Sequence, residues 1–409
     1  MTRHDLGSEV NRHRLHTRLT HAVSALPERP AGPILVVDLD AFDANARDLA
    51  RRAAGTRVRV ASKSLRVPAL VARALGVPGF SGVLCYALRE ALWLHAQGIG
   101  RDLVMGYPTV DRVALTALAA DEQATRTITL LVDDPAHLDL VDDVRPAGGP
   151  AVRVALDIDA GLRLGPAHIG PKRSPVHDVS QVLALATEVL DRPGFELVGV
   201  MTYEGQVAGV GDEVPGRRTR STAVRRMKSA SVHQLLRRRQ EIAAALAGVV
   251  ELEFWNAGGS GSIETSAQDP VVTEVSAGSG LLVPHLFDHY RSFTPRPAAF
   301  FGVPVVRRPA AATVTVAGGG LIASGPTGKD RSPLPWAPPG LRLTGLEGAG
   351  EVQTPLVGPA AVALAIGDLV WFRHAKSGEP AEHAHEVHLL RGSRIVDTVP
   401  TYRGTGNVW

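Results

Sequence analysis

Short apolar runs alternate with amphipathic segments through the first 290 residues of the chain. The runs are rich in valine, isoleucine and leucine, which is typical of parallel strands buried on both faces. Strands are predicted at residues 57–63, 82–87, 102–108, 128–133, 152–159, 197–203, 252–258 and 272–278. Helices are predicted over Leu88–Gly98, Asp111–Glu122, Pro135–Val144, Val179–Leu190 and Ala223–Ala247, with another that Asp40 caps and that ends at Arg52. Eight strands separated by helices predict an α/β fold, a (β/α)8 TIM barrel rather than a doubly wound sheet.

The pattern changes after residue 290. Helical spacing disappears, and prolines and glycines become frequent over residues 317–340, which we interpret as a structured loop region. Short alternating runs predict strands over Ala312–Val316, Ala361–Ala365, Asp368–Phe372, Glu386–Leu390 and Arg394–Val399. We therefore predict an N-terminal extension at 1–30 that packs on the β-domain, a barrel at 31–290 and a C-terminal all-β domain at 291–409.

Composition narrows the classes of protein to which the chain can belong. It has 409 residues, of which 44% are hydrophobic, a formal net charge of +3 and one cysteine, Cys85. A single cysteine excludes an intrachain disulfide and fits a reducing compartment. No segment resembles a secretory signal or reaches the roughly 18–20 apolar residues of a membrane helix. We expect a cytoplasmic protein with no membrane partner.

Arginine clusters at 217–220, 225–226 and 237–239 raise the question of a nucleic-acid partner. They lack interleaved aromatic residues and border or lie on one predicted helix, so no nucleic-acid partner is expected. We interpret them as a solvated face or as an electrostatic funnel for an anionic substrate.

Lys63 ends the first predicted barrel strand, in the run RVRVASKS at 57–64. The carboxyl ends of barrel strands face the active site. A lysine there loses hydration, so the neutral amine that Schiff-base chemistry with an aldehyde requires becomes more accessible. The alternative is an ordinary surface lysine, and the other strand ends bear on that choice.

Two loops rich in glycine and serine follow the last two predicted strands. They are Asn256–Ser262 after the seventh strand and Ser276–Gly280 after the eighth. In barrels, loops at these positions commonly bind phosphate, because backbone N–H groups approach an oxyanion where no Cβ intervenes. Either loop alone is as consistent with a structural turn, but together they predict a phosphate site.

Two further strand ends carry polar side chains. Arg163 lies in a glycine-flanked loop after the fifth strand, where its planar guanidinium suits a carboxylate or a cofactor ring. The alternative is an ion pair with an aspartate of the same loop. Tyr203 ends the sixth strand, where it would flank an aromatic ring, hold a proton or pack at the barrel rim.

As a set and in this order, these motifs resemble those of the fold type III pyridoxal-phosphate enzymes, and more narrowly the D-threonine aldolase and D-serine dehydratase-like family. The matching pieces are LVVDLDAFDAN at 35–45, Lys63 after its strand, DIDAGLRLG at 157–165, the turn at 203–205 and the two glycine loops. The resemblance covers residues 30–409 and is closest to a branch described as amino acid deaminase/aldolase. It implies an alanine racemase-type barrel followed by a C-terminal β-domain.

The resemblance also implies site residues and partners. Lys63 would form the Schiff base with pyridoxal phosphate, Arg163 would lie near the pyridine ring, and Tyr203 near the ring or the substrate. The 5′-phosphate would be held by Gly258, Gly259, Ser260, Gly261, Gly278 and Ser279. A homodimer acting on a small D-amino acid is expected.

The family often carries a His-x-Cys or His-x-Asp pair in its β-domain that binds a divalent metal ion, and here the sequence departs from that pattern. One placement takes His383 and His385, whose spacing in an extended segment puts both imidazoles on one side. The other takes His374 with Glu379, and leaves Ala381 where relatives in this branch tend to have cysteine. Such ligands suit zinc or manganese. A solvated loop without metal is the remaining alternative.

These expectations lead to one predicted activity and two alternatives. The prediction is a pyridoxal-phosphate-dependent lyase that acts on a D-3-hydroxy amino acid, by retro-aldol cleavage to glycine and an aldehyde or by dehydration and deamination. An amino-acid racemase of the same fold would need a second base, for which Tyr203, Tyr290 and Tyr402 are candidates. A non-catalytic pyridoxal-phosphate carrier would resemble a lone barrel, so the additional β-domain counts against it.

Overall fold

The structure is a computed structural model that describes residues 7–28, 30, 32–294 and 296–409. The described chain divides into two compact units. The barrel unit consists of Arg47–Lys63, Leu70–Gly278 and Trp409, and the rest of the described chain forms the sheet unit. Residues 32–46, which the sequence pattern assigns to the barrel domain, therefore group with the C-terminal sheet.

Eight parallel strands close the barrel, each paired with its neighbours in chain order and the eighth paired with the first. Their bounds are Arg57–Ala61, Phe80–Cys85, Leu103–Met105, Ile128–Val132, Val152–Asp157, Phe195–Thr202, Phe254–Ala257 and Glu274–Ala277. Each overlaps a predicted strand, so the predicted (β/α)8 barrel is confirmed. A short hairpin, Leu162–Leu164 with Ala167–Ile169, follows the fifth strand.

The helices begin at local sequence signals. Asp134 accepts the N–H of Ala136, with proline at the first helical position. Asp178 and Gln181 form a capping box at the start of the predicted helix Val179–Leu190. The α-helices run over Glu9–Ser24, Leu39–Arg52, Pro68–Leu75, Leu88–Ala96, Arg112–Ala120, Glu122–Thr127, Pro135–Asp142, Val179–Leu190, Gly205–Ala208, Arg218–Leu246, Ile263–Ala267 and Ser279–Leu282. The 3-10 helices are Ser62–Ser64, His285–His289, Lys329–Arg331, Pro359–Ala363, Glu379–Glu382 and Arg403–Thr405.

The long helix Arg218–Leu246 carries most of the arginines that the sequence pattern places on a solvated face. That interpretation is wrong for Arg238 and Arg239, which are only 9% and 4% exposed. Arg239 forms ion pairs with Glu204 at 3.0 Å and Asp269 at 3.2 Å. Two carboxylates offset the cost of burying this guanidinium, so the arginine is a structural element of the barrel unit.

A buried ion pair ties the first strand of the barrel to the eighth. Arg59 Nε donates to Glu274 Oε1 at 2.7 Å, and Arg59 Nη2 donates to Asp102, just before the third strand, at 2.7 Å. Gly82 in the second strand leaves room for this guanidinium, because a Cβ there would lie 2.4 Å from Arg59 Nη1. Removing one partner of such a pair would leave a buried charge uncompensated.

The sheet unit is built on nine strands. Their bounds are Ile34–Asp38, Ala299–Ala310, Thr313–Ala317, Leu334–Ala337, Arg342–Leu343, Gln353–Val357, Leu369–Arg373, Glu386–Arg391 and Arg394–Pro400. Ile34–Asp38 pairs antiparallel with Ala299–Ala310 and parallel with Glu386–Arg391, so an N-terminal strand lies inside a mostly C-terminal sheet. The helix Glu9–Ser24 covers one face through Leu19, Ala22 and Val23, which pack in a core with Trp371.

Several segments of the sheet unit differ from the sequence prediction. The strands Leu334–Ala337, Arg342–Leu343 and Gln353–Val357 were not predicted, and the first lies inside the predicted loop region 317–340. Ala361–Ala365 is predicted as a strand, but Pro359–Ala363 forms a 3-10 helix. Alanines have low strand propensity, and Pro359 suits the first turn of a helix. The strand Ala299–Ala310 was not predicted, because glycine and proline interrupt its apolar run. No helix in the described part of the chain is long and apolar enough to cross a membrane.

Candidate functional site

Lys63 lies two residues beyond the first barrel strand, in the 3-10 helix Ser62–Ser64. Its side-chain nitrogen donates a hydrogen bond to the hydroxyl of Tyr107 at 2.5 Å and lies 5.2 Å from the centre of that ring. Tyr107 follows the third strand, Leu103–Met105. This hydrogen bond thus links the ends of the first and third strands through the amine of Lys63.

An arginine links this tyrosine to Tyr203 at the end of the sixth strand. The guanidinium carbon of Arg173 lies 5.4 Å from the centre of the Tyr107 ring and 5.3 Å from that of Tyr203. Burial raises the pKa of the Tyr203 phenol to about 12; Glu204 and Tyr107 act in the same direction, and Arg173 opposes them. Tyr203 therefore keeps its proton at neutral pH and is a hydrogen-bond donor rather than a base.

Two carboxyl groups follow the fourth and fifth strands. Burial, reinforced by the charge of Asp133, raises the pKa of Asp157 to about 7, against the opposing effect of Arg173. Burial also raises the pKa of Asp133, which the nearby His137 partly offsets. Asp157 consequently exchanges a proton near neutral pH, as a general acid or base must.

A buried carboxylate holds the glycine loop that follows the seventh strand. Glu204 accepts hydrogen bonds from the N–H of Gly258 at 3.2 Å, from Ser262 Oγ at 3.0 Å and from Ser266 Oγ. Gly258 has a φ of +75°, which an L side chain rarely adopts. Since the N–H of Gly258 is donated to Glu204, this residue shapes the loop instead of offering that N–H to an anion.

The two predicted phosphate loops meet. The N–H of Gly278, after the eighth strand, donates to Ser260 Oγ at 3.3 Å. Gly259 lies against Tyr203, since a Cβ added to this glycine would be 3.4 Å from the tyrosine ring. Gly261 continues the same turn. These glycines, Ser260 and Tyr203 therefore lie together at the ends of the sixth, seventh and eighth strands.

Ser279, the remaining predicted phosphate ligand, is described within the sheet unit. Its hydroxyl lies 3.2 Å from Ser64 Oγ, and its carbonyl accepts from Ser377 Oγ at 3.4 Å. Its side chain is thus engaged with Ser64 of that unit.

Arg163 makes its contacts with neighbours other than Lys63 and Tyr203. Its guanidinium donates to Asp159 at 2.9 Å, and its backbone exchanges two hydrogen bonds with Gln234 on the long helix. The side chain also lines a cavity of about 520 Å³ with Arg237, Arg238 and His177. The ion pair considered as the alternative is present; the role of Arg163 beside a cofactor ring stays a prediction.

The predicted metal ligands all lie in the sheet unit. His383 and His385 are exposed. His374 is buried, and burial together with the charge of Arg373 lowers its pKa to about 3, so its imidazole is neutral. Glu379 accepts from the backbone and hydroxyl of Ser324 at 3.1 and 2.6 Å. No group of three or more His, Cys, Asp or Glu side chains in the described ranges is placed to hold a metal ion.

Comparison with known proteins gives the family. A model described as the alanine racemase N-terminal domain matches residues 37–284, which is more than half of the chain. The chain belongs to the alanine racemase N-terminal domain family. A D-threonine aldolase from Arthrobacter sp. is 30% identical over 253 residues, which make up 60% of each chain. The protein thus spans about three fifths of that enzyme's length.

Solved structures share the fold over most of the chain. A D-threonine aldolase from Filomicrobium marinum aligns with a TM-score of 0.74 at 22% identity, covering 91% of this chain and 95% of the other. D-threo-3-hydroxyaspartate dehydratase from Delftia sp. HT23 aligns with a TM-score of 0.69 at 20% identity, covering 91% and 97%. At these identities the likeness shows the fold.

Several residues of this alanine racemase-family barrel were not predicted from the sequence. Tyr107 lies near the end of a predicted strand, and that position is the one feature of the sequence that could have marked it as a site residue. Arg173 lies in an irregular segment with no motif of its own, and only the fold brings it to the tyrosines. Asp157 and Glu204 lie in the motifs that carry the family resemblance, but the burial of their carboxyl groups cannot be deduced from the sequence pattern.

Proposed function

We propose that this protein is a pyridoxal-phosphate-dependent lyase that acts on a D-3-hydroxy amino acid. The observation that carries the proposal is Lys63, whose amine lies just past the end of the first barrel strand and contacts Tyr107 at 2.5 Å. The similarity to D-threonine aldolase of Arthrobacter sp. supports the substrate class.

The residues of the barrel unit fit the cofactor. An amine can bond covalently to its aldehyde. Glycine at 258 and 259 keeps side-chain bulk out of the turn after the seventh strand, where an added Cβ would lie 3.0 Å from a neighbouring side chain. Tyr203 supplies an aromatic face beside Gly259. When bound, pyridoxal phosphate withdraws electrons from the substrate's Cα so that a bond to that carbon can break.

Four side chains of the protein bind, orient or exchange protons in the proposed reaction. Lys63 binds the cofactor and, once released by the substrate's amine, is available to hold a proton. Asp157, with a pKa of about 7, is the group best suited to take the proton of the substrate's β-hydroxyl. Tyr107 accepts a hydrogen bond from Lys63 and so orients its amine. Tyr203 keeps its own proton and positions the ring system.

The described residues do not assemble a binding site for a divalent metal ion. Glu379 is engaged with Ser324, and neither His374 nor the exposed pair His383 and His385 is joined by further ligands. Because these residues do not fit the ion expected from the resemblance, we derive the reaction without zinc or manganese.

Product analysis tests the activity. Cofactor-loaded protein is incubated with D-threonine and D-serine, and glycine with acetaldehyde, or pyruvate with ammonia, is quantified. We expect the first pair from cleavage of the Cα–Cβ bond or the second from loss of water and hydrolysis. If both amino acids and D-3-hydroxyaspartate are untouched, the substrate assignment is wrong.

The family name favours a racemase as the second candidate. Racemisation exchanges the Cα hydrogen for solvent and preserves the carbon skeleton. Deuterium at Cα of recovered alanine in deuterated water, with inversion and no cleavage, would select this alternative. The high pKa of Tyr203 disfavours it as the second base.

We also propose that the protein acts as a homodimer. Light scattering should then give a mass of about twice the 43.2 kDa of the chain. A monomeric mass in active enzyme contradicts this.

A further inference from the structure

Arg173 is a cation to which the proposed chemistry assigns no role, although it shares the neighbour Tyr107 with the proposed reacting amine. Its side chain is exposed, yet it lies over two aromatic rings, 5.4 Å from Tyr107 and 5.3 Å from Tyr203. Contacts of this kind attract a guanidinium to the ring faces. They hold the group in place while leaving its N–H donors available.

Among the described residues, Arg173 has no acidic partner of the kind that holds Arg163 and Arg239. Arg163 pairs with Asp159, and Arg239 pairs with Glu204. Within the described residues, no carboxylate lies within ion-pair or hydrogen-bond distance of the Arg173 guanidinium. A positioned guanidinium without a carboxylate is suited to receive one from a ligand.

Arg173 and Lys63 share Tyr107 as a neighbour. Tyr107 contacts Arg173 through its ring and Lys63 through its hydroxyl. Every substrate of the proposed lyase carries a carboxylate on the carbon that bears its amine. We propose, on the basis of the proposed function, that Arg173 binds the carboxylate of the substrate amino acid and thereby orients the bonds of Cα.

Asp157 is an acid that interacts electrostatically with Arg173, and it competes only weakly for the guanidinium. Arg173 acts on the titration of Asp157, but burial and the charge of Asp133 keep the Asp157 pKa at about 7. Near neutral pH a large fraction of Asp157 is therefore uncharged. The cation remains available to an incoming carboxylate.

The cofactor's phosphate is a second anion that this arginine could bind, so the test separates the two. Arg173→Gln, Arg173→Lys and the control Lys172→Gln are compared with wild type; Lys172 is the adjacent exposed cation. Three quantities are measured: the affinity for pyridoxal phosphate, the affinity of the loaded protein for malonate by calorimetry, and KM and kcat for D-threonine or the active substrate.

We expect Arg173→Gln to weaken malonate binding and raise KM by roughly 10- to 100-fold, the range for one lost charge-assisted hydrogen-bonding partner. Affinity for pyridoxal phosphate should be unchanged, Arg173→Lys should fall between, and Lys172→Gln should match wild type. Unchanged malonate binding in Arg173→Gln, no malonate binding in wild type, or a parallel loss of cofactor affinity overturns the inference. Malonate binding that depends on Arg173, in a protein without lyase activity, would contradict the proposed function but still support a carboxylate site at Arg173.

Discussion

Asp157 and Asp159 are two residues apart, and their environments move their pKa values in opposite directions. Burial and Asp133 raise the pKa of Asp157 to about 7. Burial also acts to raise the pKa of Asp159, but hydrogen bonds from Gly161, His168 and Arg163 outweigh it and lower that pKa. One carboxyl is thus suited to proton transfer and the other to holding its loop in place.

Replacing Asp157 with asparagine should stabilise the protein at high pH. The folded-state pKa lies above the ordinary value of 3.8, so the folded state binds the proton more tightly, and stability is lost as pH rises from about 3.8 to 7. Asparagine cannot ionise and avoids this loss. We expect the free energy of unfolding above pH 7 to rise by roughly 1–2 kcal/mol, a value discounted for partial exposure, and turnover to fall roughly 100-fold or more.

Urea unfolding of both variants across pH provides the check. Asp159→Asn is the matched control, because a lowered folded-state pKa contributes stability that is present above 3.8 and lost as pH falls. It should therefore destabilise the protein at neutral pH. Destabilisation by Asp157→Asn above pH 7 would show that this carboxyl is a structural anion and not a proton-exchanging group.

At the scale of elements, the glycine loop depends on a residue from a different strand. Glu204 follows the sixth strand and accepts from Gly258, Ser262 and Ser266 after the seventh, while Arg239 of the long helix neutralises it. A loop held this way is formed before any ligand arrives. The loop therefore pays little ordering entropy on binding.

Glu204→Gln should weaken pyridoxal-phosphate binding, because the loss of the anion leaves Arg239 partly uncompensated and loosens the turn at Gly258. We expect roughly a tenfold loss of cofactor affinity, measured by fluorescence titration. Glu253→Gln is the control, since Glu253 lies just before the seventh strand, at the end opposite the turn at Gly258, and pairs with Arg153. Equal effects of the two substitutions would indicate general loss of stability instead of loop positioning.

The periodic elements were predictable from the sequence, whereas the elements with interrupted patterns were not. All eight barrel strands overlap predicted strands, most of which are runs of buried aliphatic residues, and Val179–Leu190 was predicted from its helical spacing. Ala299–Ala310 was missed because Gly302 and Pro304 interrupt it. Gly302 is required there, since a Cβ would lie 2.8 Å from the ring of Trp371, a neighbour that only the fold supplies.

Lys63 and the glycine loops could be predicted because strand order in a barrel brings their ends together. Tyr107 and Arg173 could not, because their contacts depend on loop paths that no periodic pattern determines. The position of Ile34–Asp38 was unpredictable for a related reason. The sequence pattern of a buried strand is the same in a barrel and in a sheet. Only the strands with which it pairs, which are distant in the chain, decide between the two.

At the scale of the whole molecule, metal content tests the departure from the family pattern. Of the candidate ligands, His374 alone is a buried imidazole, and one imidazole is far from the usual tetrahedral ligand set of zinc. We expect purified protein to retain much less than one equivalent of zinc or manganese per chain after desalting, and chelation to leave activity unchanged. A full equivalent that is lost in His374→Ala but kept when His383 and His385 are replaced would contradict this and identify His374 as a ligand.

The most direct test of the account is the site at which the cofactor attaches. Protein loaded with pyridoxal phosphate is reduced with borohydride, digested and analysed by mass spectrometry. The account predicts a phosphopyridoxyl group on Lys63, none on Lys172, Lys228, Lys329 or Lys376, and no label in Lys63→Ala. Label on another lysine, or none in wild type, would contradict the central claim that Lys63 is the reacting amine.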